Sequence, residues 1–440
     1  MAFEIRRLME RVAKDRQRIA PSALFAVLIC LVLFSGGAFQ RLVAPDMDVE
    51  GNVILRLMWL PVYALVIGLV LTQAKDVLRL AWRLPAIMVL LALAVLSSLW
   101  SIDPGVSLRR GIGLIATTLF GLYLATRFDW RRLLMILGAV WLGLALINVL
   151  AGLAAPDFAR DFEIHIGAWR GFWFEKNTMG GHMARASLIF GVLLLVDAKR
   201  RLTWSLGLGL SVLLVLLSTS TTALLATVLG LGVLAGGWVM QGRPVMAVVG
   251  VWSGVALAGG FATFVALQPE VFLGLFGKDA SLTGRTDIWS ALVDAITARP
   301  LLGYGYGAFW GLDSEPAYWV REAVSWDAPT AHNGWLEITL GLGLAGLVVF
   351  AISFVATFGR AFLQVFDHRF ALYAFGFLAQ IALFSVSESL LLELNSIVWI
   401  NYVAVAGVLV LGVSQEGSVQ RPPRKSVSRL RLRRDPPGLI

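Results

Sequence analysis

Twelve apolar runs separated by short polar breaks constrain this chain more than any other feature. They cover residues 22–39, 53–72, 84–100, 107–125, 132–154 and 178–196, then 202–217, 221–240, 245–267, 332–358, 370–387 and 396–413. Each holds 16–27 residues, about what a helix rising 1.5 Å per residue needs to cross about 30 Å of hydrocarbon. Lipid cannot satisfy open backbone groups, so a spanning segment is either a helix or a strand of a closed barrel, and no barrel alternation is present. The chain therefore reads as an all-α integral membrane protein with about 12 transmembrane helices. Composition agrees: 58% of the 440 residues are hydrophobic and 15% charged, against roughly 25% charged in a soluble domain.

Thirty-seven Lys and Arg against 28 Asp and Glu give a net charge of +9, and placement explains it. Arg6, Arg7, Arg11, Lys14, Arg16 and Arg18 precede the first run, and alternate loops carry Lys75, Arg79 and Arg83, then Arg127, Arg131 and Arg132, then Lys199, Arg200 and Arg201. The tail adds seven more between Arg421 and Arg434. Cytoplasmic loops concentrate such residues, so both termini are expected in the cytoplasm. The excess is a topology signal and not a nucleic-acid surface. The expected organisation is a basic cytoplasmic N-terminus (1–21), helices 1–9 (22–268), a large periplasmic loop (269–331), helices 10–12 (332–413) and a basic tail (414–440) that is disordered and touches anionic lipid. The first run reads as an uncleaved anchor. Cys30, the single cysteine, excludes a disulfide framework and a cysteine metal site. The four histidines are scattered without ligand spacing, so neither a metal nor another cofactor is expected.

The 63-residue loop 269–331 exceeds what structureless connections reach and is expected to fold as a cap over the membrane. Four segments on this external face stand out. Gly171 to Asn177 runs into Gly180, Gly181 and His182. Leu282 to Trp289 reads as a turn entering a helix. Pro300 to Trp310 is a glycine–aromatic loop, and Ala331 to Glu337 enters the tenth run. Each admits a plainer reading. Lys176 and Arg285 resemble cations that snorkel at span ends. His332 resembles an interfacial histidine, and Glu388 and Glu393 resemble loop acids. Glu337 lies about 7.5 Å into its span, where a carboxylate needs a partner or a wet cavity. Arg109 and Arg110 point in different directions, so one of them at most faces a cavity. The string Gly341-Leu342-Gly343-Leu344-Ala345-Gly346 matches a dinucleotide fingerprint but lacks the preceding strand, and its small residues are expected to serve helix packing.

The ordered set resembles the O-antigen ligase/polymerase superfamily of membrane glycosyltransferases. The matching motifs are Lys-Asn-x-x-Gly (Lys176, Asn177, Gly180), Gly-Arg-x-x-x-Trp (Gly284, Arg285, Trp289), Pro-x-x-Gly-x-Gly (Pro300, Gly303, Gly305) and His-Asn followed by Gly-Leu-x-Gly (His332, Asn333, Gly343, Gly346). Lysine at 176, Gly-Tyr-Gly-Tyr-Gly and Asn-Gly after the histidine resemble the exopolysaccharide polymerase branch. The resemblance implies a GT-C-like fold in a bacterial inner membrane. It also implies transfer of glycan from undecaprenyl diphosphate to an acceptor hydroxyl at the periplasmic face, with lipid, a flippase and chain-length or export proteins as partners. On that reading Arg285, Lys176 and one of Arg109 and Arg110 stabilise the diphosphate leaving group. His332 is the general base, with Glu337 orienting it or sharing the role. Asn177, Asn333, Tyr304, Tyr306, Trp310, Trp335 and Glu388 would touch substrate, and the displacement inverts the anomeric carbon. Attachment of O-antigen to lipid A–core is the alternative. A lipid-linked oligosaccharide transporter would place its charges at the bilayer midplane instead, and an assembly scaffold would tolerate loss of His332.

Overall fold

The computed structural model describes residues 19–36, 41, 53–162, 165–268 and 285–412. Sixteen α-helices lie among the described residues: α1 (Pro21–Phe34), α2 (Val53–Leu71), α3 (Ala74–Trp82), α4 (Pro85–Leu96), α5 (Pro104–Arg127), α6 (Trp130–Ala154), α7 (Pro156–Ala159), α8 (Lys176–Val196), α9 (Arg201–Leu217), α10 (Thr221–Met240), α11 (Pro244–Leu267), α12 (Arg285–Ala298), α13 (Glu315–Val324), α14 (Gly334–Val365), α15 (Ala371–Phe384) and α16 (Ile397–Leu411). Each of the twelve apolar runs carries a helix. Six helices, namely α2, α6, α8, α9 with its leading turn, α10 and α14, are long and apolar enough to cross a membrane. Among the described residues the chain is all-helical, as a multi-pass membrane protein. The basic termini and residues 269–284, including Gly284, fall outside the described residues.

Local chemistry sets the helix ends. Proline opens α1, α4, α5 and α11, where its missing N–H costs nothing. Asp103 and Asp129 cap α5 and α6 by accepting from Val106 N at 2.9 Å and Arg132 N at 2.8 Å, each worth ~1 kcal/mol. The run at 84–100 departs from a plain span. Its helix α4 follows α3 at a 95° bend, because Lys75, Asp76 and Arg79 alternate with the buried Val77 and Leu80 and hold α3 as an amphipathic segment.

At the centre of the bundle lies α8, whose residues from Met179 to Leu193 are buried without a break. It packs on α6, α9, α10 and α15, while α5 packs along α16. A second, smaller core forms within the segment from residue 285 to the start of α14. Ile288 and Leu292 of α12, Ala317 and Val320 of α13, Tyr304, Phe309, Ala328, Ala331 and Leu340 form it, so this loop folds around apolar contacts of its own.

The feature that most affects the site is a break in α14. Gly343 has φ 64° and ψ −167°, a combination essentially confined to glycine. The loop after α12 fills the break. Tyr304 and Gly305 donate to the carbonyls of Leu340 and Gly341 at 2.8 and 3.0 Å, while Leu344 and Ala345 donate to those of Pro300 and Leu301 at 2.8 and 3.1 Å. Four backbone groups freed by the break are thus satisfied inside a low-dielectric span. Gly343 is therefore a backbone junction, not the packing residue that its small size suggests. Gly303, Gly305 and Gly307 all have positive φ, and a Cβ at Gly307 would collide with the Arg110 side chain. The alternating glycines let this loop run against α14 and α5 while leaving room for that guanidinium.

Candidate functional site

His332 sits at the entry of α14 with φ 45°, a left-handed conformation uncommon outside glycine. Its neighbours over-determine it. Asn333 caps α14, its side chain accepting from Trp335 N at 3.0 Å and Leu336 N at 3.1 Å. On the other side, the Trp289 indole donates to Ala331 O at 3.0 Å and the Ala331 amide donates to Glu337 Oε2 at 2.9 Å. The imidazole is half-buried. Burial, reinforced by the Arg285 charge, pulls it down to about 4, so it is neutral and able to accept a proton at neutral pH.

Glu337, in the first turn of α14, is held by three donors. The Trp310 indole reaches Oε1 at 3.0 Å, the Ala331 amide Oε2 at 2.9 Å and the Ser389 hydroxyl Oε2 at 3.3 Å. Arg285, the first residue of α12, pairs with Glu388 at 3.1 Å, both side chains being largely buried. Its charge also reaches Glu175, the residue before α8. Burial raises the Glu175 carboxyl, and Arg285 opposes that shift. Arg110 of α5 lies in the field of Tyr306, Glu337 and Glu393, whereas Arg109 is exposed. Arg110 is thus the member of the pair that faces inward. Glu393 is accessible to solvent although protein surrounds it. Burial raises its carboxyl and Ser396 opposes the rise.

The structure therefore gathers His332, Glu337, Arg285, Glu388 and Arg110. It uses other sequence candidates differently. Lys176 Nζ donates to Thr219 Oγ1 at 3.2 Å, in the turn between α9 and α10, and Asn177 is half-buried beside it. The neighbouring Glu175 lies in the field of Arg285 and so links this pair to the gathered residues. Tyr304 and Tyr306 do not present free faces. Tyr304 is buried in the external core and donates to Ala295 O at 2.7 Å, and Tyr306 is buried and donates to Leu392 O at 2.6 Å. Trp335 packs edge-on against Phe350 and Phe354, and the Asn333 side chain is used at the cap. Loop aromatics that looked like sugar platforms are structural because the loop needs a core of its own. Trp326 is exposed, and its ring lies tilted 6.1 Å from the His332 ring. Sequence reasoning passed over Glu175, Arg185 and Trp326. Arg185 carried a usable signal, a charge inside an apolar run.

A description of the O-antigen ligase family matches residues 206–351, from α9 through the break in α14, and so takes in Arg285, His332 and Glu337. The exopolysaccharide production protein ExoQ of Rhizobium meliloti (strain 1021) is 28% identical over 311 residues, covering 67% of this chain and 69% of that protein. Both similarities point to the O-antigen ligase/polymerase superfamily. The similarity to ExoQ is a similarity to an exopolysaccharide production protein. Arg110, Lys176 and Glu388 lie outside the matched family segment, so the structure alone joins Arg110 and Glu388 to its residues.

Proposed function

We propose that this chain is an inner-membrane polysaccharide polymerase that transfers glycan from an undecaprenyl diphosphate carrier to an acceptor sugar hydroxyl at the periplasmic face. In this reading all twelve apolar runs are spans, both termini are cytoplasmic, and the segment 269–331 caps a periplasmic site. The observation that carries it is the neutral His332 beside the Arg285–Glu388 pair. A proton acceptor and a fixed cation stand together where an incoming hydroxyl and a departing diphosphate would meet.

The step is a single displacement. The acceptor oxygen forms its bond to the anomeric carbon as the bond from that carbon to the diphosphate oxygen breaks with inversion. The electron pair leaves on the diphosphate, and the hydroxyl proton passes to His332. Arg285 and Arg110 stabilise the charge developing on the leaving group, as preorganised cations in a poorly hydrated site do best. Glu337 acts through the backbone: by accepting from the Ala331 amide it fixes the peptide that carries His332, leaving the imidazole as the base. Lys176 and Asn177 bound the entrance near Glu175, where the glycan would pass. The similarity to an exopolysaccharide production protein favours chain polymerisation. The family description favours ligation to lipid A–core as the second reading.

The test is the lipid-linked glycan pool of a strain lacking the gene, complemented with wild type or His332→Ala. Single repeat units accumulating on the carrier, relieved by wild type alone, support a polymerase dependent on His332. Long carrier-linked chains that never reach their final acceptor identify a ligase. Full complementation by His332→Ala refutes the base assignment.

A further inference from the structure

Arg185 is the tenth residue of α8, about 14 Å along the axis from Lys176, and it is 7% exposed. Its side chain climbs back toward the helix start, as helical side chains do. A Cβ at Gly181 would meet its Nη2 at 3.3 Å. Nη2 reaches His182 Nδ1 at 3.2 Å and the guanidinium covers the Phe384 ring at 5.1 Å. His182 is itself clamped between Trp141 and Trp173, with ring centroids at 5.1 and 5.2 Å. Among the described residues nothing braces the other side: Nε and Nη1 are buried with no hydrogen-bond partner.

That arrangement is costly. A guanidinium carries five N–H donors, and leaving buried ones unmet is costly, more so for a charged group. Inside a membrane span the penalty marks a functional residue. The carboxylates whose fields it feels, Glu388 and Glu393, stand just beyond Phe384 in the loop after α15. Glu388 is already taken by Arg285 at 3.1 Å. The Tyr373 hydroxyl, also in its field, has no partner either. An acceptor for these donors would approach from the side on which Arg285, Glu388 and Glu393 stand.

We propose that Arg185, braced by His182 and Phe384, is the inner phosphate ligand of the site that Arg285 and Glu388 mark, and takes an oxygen of the lipid-side phosphate of a polyprenyl diphosphate. This rests on the lipid-diphosphate reading above and adds to it a cation from the buried helix α8. Arg285 and Arg110 would hold the sugar-side phosphate nearer the external face, so that three guanidinium groups bracket the leaving group from two depths.

The experiment uses the full chain in lipid nanodiscs, with binding followed by the fluorescence of Trp141 and Trp173 and by native mass spectrometry. The probes are undecaprenyl diphosphate without sugar, undecaprenol, and inorganic pyrophosphate as the free anion. Arg185→Gln is expected to weaken undecaprenyl diphosphate roughly 10- to 100-fold, the range of a charged hydrogen bond, and to leave undecaprenol unchanged. Equal diphosphate affinity in wild type and a folded Arg185→Gln protein overturns the proposal, and the orphan donors are then hydrated only. If the Gln variant does not fold, Arg185→Lys replaces it. The shorter point charge loses reach and donors, so roughly 3- to 10-fold weakening is expected and unchanged affinity overturns the proposal. Inorganic pyrophosphate binding as tightly as the lipid overturns the lipid-side assignment. Wild type that fails to bind the lipid diphosphate at all defeats the proposed function itself, an outcome separable from the others because no variant is involved.

Discussion

The junction between the broken α14 and the loop from Pro300 to Gly305 can be opened with one methyl group. Gly343→Ala places a Cβ against the Leu301 carbonyl and the Leu302 amide. It does so at φ 64° and ψ −167°, where a side chain costs roughly 1–3 kcal/mol. Relieving the clash separates the strands of the junction and endangers the Leu344–Pro300 and Ala345–Leu301 hydrogen bonds, each worth roughly 0.5–1.5 kcal/mol and more when its groups stay buried. Together the local stability of the junction falls by roughly 3–5 kcal/mol. The assay is amide hydrogen exchange in nanodiscs, read at Tyr304 and Gly305, whose amides donate across the break. A loss of 3 kcal/mol accelerates their exchange by about 100-fold. Gly341→Ala is the control, since its Cβ meets nothing nearer than 3.6 Å and protection there should hold. Unchanged protection of Tyr304 and Gly305 in Gly343→Ala would refute the idea that this loop completes the broken span.

Four further outcomes follow from the site. The glycan-transfer rate should stay flat from pH 7 down to pH 5.5, because burial and Arg285 keep the His332 imidazole neutral until the pH falls through about 4; an ordinary histidine would lose about tenfold over that range, and a pH–rate profile decides. Glu337→Gln turns an acceptor into a donor facing the Trp310 indole or the Ala331 amide, so kcat should drop roughly 10- to 100-fold with KM little changed. Arg285→Lys loses the geometry of the contact with Glu388 and should slow transfer by about tenfold or more, measured as initial rates at saturating donor. Tyr304→Phe removes only the bond to Ala295 O; thermal unfolding should show about 1 kcal/mol lost, while transfer remains at the wild-type level.

The helices were legible because the solvent dictates them locally: a run of apolar residues in lipid has few choices of structure. The break at Gly343 was not, since glycine in an apolar helix is commonplace and the partner loop that satisfies the freed groups lies far away in sequence. The motif Pro300, Gly303, Gly305 and the motif around Gly343 could each be read, but not that they interlock. Arg285, His332 and Glu337 were readable from their order and their position at span ends. The choice between Arg109 and Arg110 needed the rotation of α5, which places Arg110 under Gly307. Tyr304 and Tyr306 misled because aromatic residues in an external loop suit a sugar platform, while their hydroxyls in fact donate to buried carbonyls. Arg185 was hidden by the apolar run around it, although a lone intramembrane charge is itself a signal.

The central claim, that His332 beside Arg285 performs glycosyl transfer from a lipid diphosphate, is tested most directly by the purified protein in proteoliposomes supplied with an undecaprenyl-diphosphate-linked repeat unit. Wild type should lengthen the glycan and release undecaprenyl diphosphate in equal measure, and His332→Ala, with unchanged thermal unfolding, should do neither. Elongation by His332→Ala at the wild-type rate, or repeat units crossing the bilayer without any new glycosidic bond, would contradict it.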